Sequence, residues 1–332
     1  MARVLVAPAP FKGTLSARAA AATIGAVLRD AGHDVLQRPL PDGGEGTLDA
    51  LAAAWGLALV EHVVPDILGS GGRAMPVTVG RGAVDDVDTA VVESALAVGL
   101  GLVPVARRDP ERASSAALGH LLRAVVDDGA RRVVLALGGS AVVDGGAGML
   151  AVLPALPAGI ELIGLVDVEA PLGGPRGARL YFAQKGLPAD RHDAVEAQLR
   201  ALHPRFVDAA GAGAAGGLGA AVLALGGELR SGADAVIAAA HIDDLVDRVD
   251  VIVGGEGRVD EQTMQGKSLA RLRSLARRHG VRLAVVCGTC DLPTSSVGDV
   301  VITLGPRGLV DVQGALTVAA RALSAVLSNA PR

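Results

Sequence analysis

Four glycine-rich segments of the sequence carry the residues best suited to chemistry. They read LPDGGEGTLDAL at residues 40–51, LALGGSAVVDGGAGML at 135–150, DAAGAGAAGGLGAA at 208–221 and VIVGGEGRVDEQTMQGKS at 251–268. Glycines let a backbone approach a ligand closely and present its N–H groups to an anion. Carboxylates beside such loops can accept a proton or hold a metal ion. The segments therefore favour a site for an anionic, metal-associated ligand.

The segment at 251–268 has the richest set of polar side chains. Its candidate binding groups are two carboxylates, two cations and an amide, namely Glu256, Arg258, Asp260, Gln262 and Lys267. Lys267 and Ser268 begin a predicted helix, and a helix N-terminus favours an anion. The triplet 266–268, GKS, is not a P-loop, because that motif requires glycine at position 261, which is Glu. So many polar groups in one loop favour function over a purely structural turn.

Two earlier segments combine glycines with carboxylates. Asp42 and Glu45 flank Gly43 and Gly44 after the second predicted strand, and this loop could also be a solvated turn with Glu45 in the first turn of a helix. We favour function there. Asp144 follows a further glycine-rich turn, for which a structural and a functional interpretation weigh equally. That turn consists of Gly138, Gly139 and Ser140.

Two lysines precede glycine in other loops. Lys12 lies in FKGTLS, directly after the first apolar run, and a lysine at the exit of a strand suits an anion. No glycine-rich loop precedes Lys12, so it is not a P-loop lysine either. Lys185 lies in YFAQKGL, and that short motif alone indicates little.

Two patterns suggest other chemistry. Residues 211–216 match G-x-G-x-x-G with Asp234 about twenty residues on, which is typical of an NAD-dependent dehydrogenase. Only RFVD precedes the motif as a strand, so we rank this hypothesis low. Cys287 and Cys290 have CxxC spacing, which indicates either redox chemistry or two buried thiols that pack as small apolar groups. We favour buried thiols, and the sequence offers neither a second CxxC nor an HxxxH pair for zinc.

Apolar strands alternate with helices along most of the chain. The predicted strands are Arg3–Ala7, Asp34–Pro39, Thr89–Glu93, Arg132–Leu137, Leu162–Asp167, Val249–Val253, Arg282–Cys287 and Val300–Leu304. The predicted helices are Ser16–Ala31, Gly46–Ala54, Ser114–Asp128, His192–Leu202, Leu218–Leu225, Ser268–His279 and Val310–Leu327. Continuous Val, Leu and Ile runs are typical of parallel strands buried on both faces. The pattern predicts an α/β class with two three-layer α/β domains and mainly parallel sheets.

The order of these elements predicts a discontinuous domain arrangement. Residues 1–60 and 248–332 would form one flavodoxin-like α/β domain, and residues 61–247 an inserted α/β domain, with the active-site cleft between them. A chain of 332 residues is too long for one ordinary core. Aromatic residues make up only 2%, so Ala, Val and Leu must build the cores.

Charge and hydropathy exclude several partners. The net charge is −4, which predicts no nucleic-acid binding. The longest uncharged stretch, 209–227, is rich in Gly and Ala and is flanked by Asp208 and Glu228, so we expect no membrane span. No secretion signal is visible, which predicts a cytoplasmic protein. A homodimer is left open by the sequence.

Acids, lysines and glycine-rich loops of this kind suit phosphoryl transfer to a small molecule, with Mg²⁺ held by carboxylates and phosphate oxygens. Taken in order, the motifs resemble one family, the type-1 glycerate kinases. The motifs that carry the resemblance are FKGTLSA, LPDGGEGT, the VES and GL segment at 92–100, GGSAVVDGGAGML, DVEAPLGGPRGA, QKG, GAGAAGGLGAA and GEGRVDEQTMQGK. Single members are weak signals, but the ordered set is specific and covers nearly the whole chain.

The resemblance implies ATP- and Mg²⁺-dependent phosphorylation of D-glycerate to phosphoglycerate. Members of this family typically yield 2-phosphoglycerate. The resemblance also implies that these positions carry the site: Lys12, Asp42, Glu45, Ser140, Asp144, Gln184, Lys185, Glu256, Arg258, Asp260, Gln262 and Lys267. We expect catalytic roles for Lys12, Asp42, Asp144 and Asp260 and metal binding by Glu256 and Asp260. The remaining positions, with the glycines at 43, 44, 138 and 139, would bind substrate or nucleotide.

The sequence departs from the family pattern in two loops. Ala9 and Pro10 stand where the family usually has Asp and Ser, and Val142 and Val143 replace Thr and Asn. These departures lie in active-site loops. They leave two alternatives open: a relative with a changed hydroxy-acid acceptor, or one that has lost catalysis and serves as a ligand-binding protein.

Overall fold

The chain divides into two units, each built around its own sheet. The computed structural model describes residues 1–11, 13–68, 74–261, 263–264 and 267–329. Unit 1 comprises Met1–Asp42 and Ala233–Arg332, and unit 2 comprises Gly43–Gly232. The strands are β1 (Arg3–Val6), β2 (Asp34–Gln37), β3 (Ala58–Pro65), β4 (Ala74–Val84), β5 (Val87–Glu93), β6 (Arg132–Ala136), β7 (Glu161–Val166), β8 (Glu228–Ser231), β9 (Val251–Val259), β10 (Arg282–Cys290) and β11 (Val300–Thr303). The helices are α1 (Ala17–Asp30), α2 (Thr47–Trp55), α3 (Ser94–Val98), α4 (Ala116–Asp127), α5 (Ala147–Val152), α6 (Phe182–Lys185), α7 (His192–Leu202), α8 (Ala214–Ala224), α9 (Gly232–Ala239), α10 (Ile242–Val246), α11 (Ser268–His279), α12 (Thr294–Val297) and α13 (Val312–Asn329).

The sheet of unit 1 is parallel throughout, in the order β11-β10-β9-β1-β2. Numbered within this unit, the order is 2-1-3-4-5, as in flavodoxin-like doubly wound folds. Helices α1 and α13 cover one face, where Val4, Val6 and Val253 are buried. Helix α11 covers the other face, because its Leu269 packs over Gly254. This arrangement gives unit 1 three layers.

The sheet of unit 2 is mixed, in the order β3-β4-β5-β6-β7-β8. Strands β3, β4 and β5 pair antiparallel, and β5 to β8 pair parallel. Helix α4 supplies Leu118, Leu121 and Leu122 to a core cluster of this unit, and α8 supplies Leu218 and Val222. The predicted α/β class, with two mainly parallel sheets of which one is flavodoxin-like, is confirmed.

Three strands of unit 2 were not predicted from the sequence. Strand β3 is exposed along most of its length, so no buried apolar run marks it. Strand β4 contains Pro76, Gly80 and Gly82, which weaken a strand pattern, and Leu57 packs directly against the two glycines. Strand β8 is a short edge strand with alternating partial exposure.

The chain passes between the units at residues 42/43 and 232/233, whereas the sequence placed these points at 60/61 and 247/248. The packing of the flanking helices explains the difference. Helix α2 packs against β4 and β5 of unit 2, and α10 packs against α11 of unit 1.

No helix among the described residues is long and apolar enough to cross a lipid bilayer.

Candidate functional site

In unit 2, the buried carboxylate of Glu93 holds the loop that contains Glu45. Glu93 ends β5 and is only 3% exposed. Its Oε2 accepts hydrogen bonds from the backbone N–H groups of Gly46 at 3.0 Å and Leu48 at 3.1 Å. Burial raises the pKa of Glu93 to about 7, although these two hydrogen bonds oppose the shift. Glu93 was not among the predicted site residues, and its only signal in the sequence is the VES triplet at a strand end.

The loop at 43–46 also contacts the loop at 138–140 through backbone atoms. Gly138 donates its N–H to the carbonyl of Gly43 at 2.9 Å. A Cβ on Gly138 would lie 2.5 Å from the Cα of Gly44, so only glycine fits at this contact. The structure thus brings together the glycines at 43, 44 and 138 that the sequence predicted as binding residues.

The 138–140 loop is held from its other side by the segment after β5. Gly139 accepts a hydrogen bond from Leu100, and Gly99 pairs with Ser140 in an isolated antiparallel bridge. The segments that follow Glu93 at the end of β5 and Ala136 at the end of β6 therefore form one connected loop system. Glu45 itself is exposed at its rim.

Asp144 is engaged by four donors within unit 2. Its Oδ2 accepts from the N–H and hydroxyl of Ser115, at 2.9 and 2.7 Å, and from Gly148 N–H at 3.2 Å. Its Oδ1 accepts from Gly146 N–H at 3.0 Å. The Ser115 hydroxyl in turn accepts from Met149 N–H. This carboxylate therefore fixes the start of α5 against the start of α4.

Lys185 is buried and ties α6 to the same glycine-rich loop. Its Nζ donates to the Ser140 hydroxyl and to the Val142 carbonyl, both at 2.8 Å. Burial lowers the pKa of Lys185 to about 7, an effect that the charge of Asp144 opposes. A neutral amine has two N–H donors, which match these two acceptors. Gln184, its predicted partner, is exposed.

The last glycine of the G-x-G-x-x-G pattern, Gly216, serves this packing. Ala215, Gly216 and Gly217 are all left-handed, with φ of 55°, 73° and 93°. A Cβ on Gly216 would collide with the Val142 carbonyl and approach Lys185 Nζ. No strand precedes the motif, because residues 203–213 form turns. The strand-to-helix geometry that an NAD site requires is therefore missing.

In unit 1, Thr263 brings two predicted metal-binding carboxylates together. Its buried hydroxyl oxygen lies 3.2 Å from Glu256 Oε2 and 3.3 Å from Asp260 Oδ1. Asp260 Oδ1 also accepts from Thr263 N–H at 3.0 Å, which closes a tight turn after β9. Arg258, between the two acids, is exposed and forms an ion pair with Asp291 at 2.6 Å. Sequence analysis did not assign Thr263 a role.

Two other predicted residues of unit 1 lie near strand exits. Asp42 follows β2 and is 5% exposed. Lys267 is the N-cap of α11 and supplies no side-chain cap to the helix. The next residue, Ser268, donates its hydroxyl to the carbonyl of Leu40 at 3.0 Å, which fixes the helix start beside the exit of β2. Lys12 and Gln262 lie outside the described residues.

Two further features predicted in unit 1 are the first loop and the CxxC pair. Ala9 and Pro10 are buried, and Ala9 N–H donates to the Gly255 carbonyl at 2.8 Å. Burial raises the pKa of Cys287 to about 12, so this thiol is not a thiolate at neutral pH. Cys287 is buried as predicted, whereas Cys290 is only half-buried. Within the described ranges, no cluster of three or more His, Cys, Asp or Glu side chains could hold a metal ion.

Comparison with known proteins assigns the chain to a family. The model of the "Glycerate kinase family" matches residues 4–158 and 152–330. The chain belongs to the glycerate kinase family. The resemblance drawn from the motifs is thereby confirmed, and the chain is a member of an enzyme family.

Individual relatives agree with this assignment. The chain is 35% identical to a Bacillus subtilis (strain 168) glycerate kinase, with 89% of this chain and 87% of the relative covered. It is 32% identical to an Escherichia coli (strain K12) glycerate 2-kinase, with 86% and 85% covered. A crystal structure from Salmonella typhimurium LT2 assigned as a glycerate kinase 2 is 30% identical, with a TM-score of 0.75 and 98% of each chain covered.

Proposed function

We propose that this protein transfers the γ-phosphoryl group of ATP to D-glycerate in the presence of Mg²⁺, giving 2-phosphoglycerate. The family match and the name of the Escherichia coli relative support the substrate and the product. The observation that carries the proposal is the pair of carboxylates joined at Thr263, directly ahead of the N-terminus of α11 in the chain. ATP is a cytosolic metabolite, so the proposed reaction belongs in the cytoplasm.

The carboxylates of unit 1 fit a magnesium ion. Glu256 and Asp260 offer hard oxygen ligands that both approach the hydroxyl of Thr263. Mg²⁺ in phosphoryl-transfer sites is typically held by one or two carboxylates together with substrate phosphates and water. Glu256 and Asp260 would hold the ion, and Thr263 would keep the two side chains converged. A bound Mg²⁺ would neutralise charge on the phosphate oxygens.

We assign phosphate binding to the start of α11. Lys267 provides a cation, and the first N–H groups of the helix have no side-chain acceptor from the N-cap. A helix N-terminus and a lysine together favour an anion. Lys12 and Arg258, also predicted from sequence, would add cations for the glycerate carboxylate or the phosphates.

We propose Asp42 as the general base. Both oxygens of Asp144 are engaged by four donors, so we assign Asp144 a positioning role instead. Asp42 lies at the carboxyl edge of a parallel sheet, two strands from β9, and ligands of such sheets bind beyond this edge. Asp42 would accept the proton of the glycerate hydroxyl as its oxygen bonds to the γ-phosphorus and ADP leaves.

The test is ADP formation from D-glycerate and MgATP by wild type and four variants, Asp42→Asn, Asp144→Asn, Asp260→Asn and Asp250→Asn. Asp42→Asn and Asp260→Asn should each lower kcat at least about 100-fold, the usual contribution of a general base or metal ligand. Asp250→Asn is the control, because Asp250 is exposed and binds Arg3 at the opposite strand ends. Enolase coupling identifies the product, since enolase consumes 2-phosphoglycerate directly. Wild-type rates in Asp42→Asn, Asp144→Asn and Asp260→Asn together would contradict the mechanism.

Buried Ala9 and Pro10 favour the second candidate function, a family relative with a changed hydroxy-acid acceptor or without catalysis. Small apolar side chains beside Gly255 offer no carboxylate or hydroxyl to a ligand, and Pro10 has no N–H. Activity with another hydroxy acid but not with D-glycerate would support a changed acceptor. Binding of glycerate or ATP without ADP formation would support a ligand-binding protein.

A further inference from the structure

Three arginines of unit 1 converge on a cavity at the amino-terminal edge of its sheet. The cavity measures about 280 Å³. Arg273 and Arg277 are one turn apart on α11, and Arg282 is the first residue of β10. The polar or charged lining also includes Ser295 and Asp299, which lie just before β11. This place is remote in the fold from the carboxyl ends of β2 and β9, where Asp42 and Glu256 lie.

The other cations of α11 all have acidic partners. Arg271 pairs with Asp234 at 2.8 Å, Arg278 with Asp243 at 3.3 Å and His279 with Asp247 at 2.6 Å, all on the side of α9 and α10. By contrast, the cavity arginines make no side-chain hydrogen bond or ion pair with any residue in the described part of the chain; these are Arg273, Arg277 and Arg282.

This arrangement leaves positive charge uncompensated. Like charges at positions i and i+4 of a helix repel each other. The pKa of Arg273 is lowered, first by burial and then by the charge of Arg277. Asp299 is the acid in the lining, and its Oδ2 accepts the N–H of Leu283 at 2.8 Å. The residues that line the cavity carry three positive charges and one negative charge, so the lining has a net charge of +2.

We propose that this cavity binds a small phosphate-bearing dianion. Two net positive charges match the charge of a phosphate dianion, and guanidinium groups match its oxygens as hydrogen-bond donors. A volume of 280 Å³ equals about nine water molecules at roughly 30 Å³ each. That volume admits phosphate with a short carbon chain.

Helix α11 links this cavity to the proposed phosphate-binding end. Twelve residues at 1.5 Å each make the helix about 18 Å long. Lys267 and Ser268 lie at its start, and Arg273 and Arg277 lie in its middle and last turns. The binding proposal itself does not depend on the kinase activity, and its test needs neither ATP nor glycerate.

Isothermal titration calorimetry of the full chain with inorganic phosphate, and separately with glycerol 3-phosphate, tests the proposal at constant ionic strength without Mg²⁺. The double variant Arg273→Gln/Arg277→Gln should raise the Kd of at least one of the two ligands tenfold or more. The matched double variant Arg271→Gln/Arg278→Gln, from the paired side of the same helix, should leave both Kd values within twofold. The single variant Arg282→Gln changes a lining residue on β10 instead of α11 and should also raise the Kd.

The outcomes separate the sources of the ligand. If the cavity variants lose affinity for glycerol 3-phosphate only, the ligand is an organic phosphate. If they lose affinity equally for both ligands, the phosphate group alone is the recognised feature. Equal binding by all variants places the anion elsewhere and overturns the proposal. An equal loss of affinity in the matched control Arg271→Gln/Arg278→Gln would show nonspecific charge attraction and would also overturn the proposal. A change of molecular mass in the cavity variants alone would make this face an interface between copies, with the same consequence.

Discussion

Replacing Glu93 by glutamine should change how the stability of unit 2 depends on pH. The neutral carboxyl of Glu93 and the amide of glutamine have nearly the same shape, and both keep an oxygen that can accept from Gly46 and Leu48. The variant therefore imitates the protonated wild type at every pH. A difference between the two proteins appears only where wild-type Glu93 is ionised.

The size of the effect follows from the pKa of Glu93. Burial raises this pKa from its ordinary 4.5 to about 7, so the folded state holds the proton more tightly than the unfolded state. The stabilisation from protonated Glu93 is complete below pH 4.5 and is lost as pH rises through 7. Its full size is about 3 kcal/mol, of which about 2 kcal/mol is lost between pH 5.5 and 8.5. We therefore compare the free energy of unfolding of Glu93→Gln minus that of wild type at two pH values. This difference should be about 2 kcal/mol larger at pH 8.5 than at pH 5.5.

Urea unfolding followed by tryptophan fluorescence measures this difference. The chain has one tryptophan, Trp55, at the end of α2, the helix whose first turn Glu93 binds. Subtracting wild type from variant cancels groups that titrate alike in both proteins. Glu61→Gln, at an exposed position of β3, is the control for removal of a carboxyl group away from the Gly46 and Leu48 contacts. A difference in unfolding free energy between Glu93→Gln and wild type that is the same at pH 5.5 and pH 8.5 would refute the reasoning.

Two further substitutions test the packing around the 138–148 loop. Burial holds the pKa of Lys185 at about 7, below its ordinary 10.5, so wild-type stability should rise with pH between these values, because the unfolded state there binds the extra proton. Lys185→Met should abolish that rise, and unfolding free energies at pH 7 and 9 would show it; an unchanged slope would contradict the assignment. Gly216→Ala should destabilise unit 2 by about 3 kcal/mol, because the new Cβ collides with the Val142 carbonyl. Gly226→Ala, at φ +81° with open space around it, should cost only about 1–2 kcal/mol of backbone strain, and equal losses would show that the collision is unimportant.

The sequence predicted unit 1 well because its strands are continuous apolar runs. The parallel sheet buries Val4, Val6, Val251 and Val253. Continuous apolar runs of this kind are typical of parallel strands that are buried on both faces. In unit 2 the antiparallel β3 and β4 escaped prediction. These strands contain exposed residues, a proline and glycines, which do not favour a strand locally. They form because β5 offers an edge to pair with, and this edge cannot be recognised from the local sequence.

The same distinction holds for the candidate site. Acids, lysines and glycines in dense loops could be recognised by type, and Glu256 and Asp260 were chosen in this way. The partners that hold Asp144 and the start of α2 could not be recognised, because they lie far away in the chain. Ser115 lies 29 residues from Asp144, and Glu93 lies 45 residues from Leu48, so only the fold reveals these hydrogen bonds.

Because Gly43 and Gly138 meet backbone to backbone, the contact between their loops contains no side chain that a point mutation could adjust. A larger residue at Gly138 meets the chain at Gly44, and one at Gly43 meets the Leu165 carbonyl while its φ of +100° disfavours any Cβ. A substitution at either glycine would therefore displace a loop backbone instead of changing one side chain. Substitutions that tune these loops must act through side chains outside the contact, such as the Glu93 carboxylate that accepts from Gly46 and Leu48.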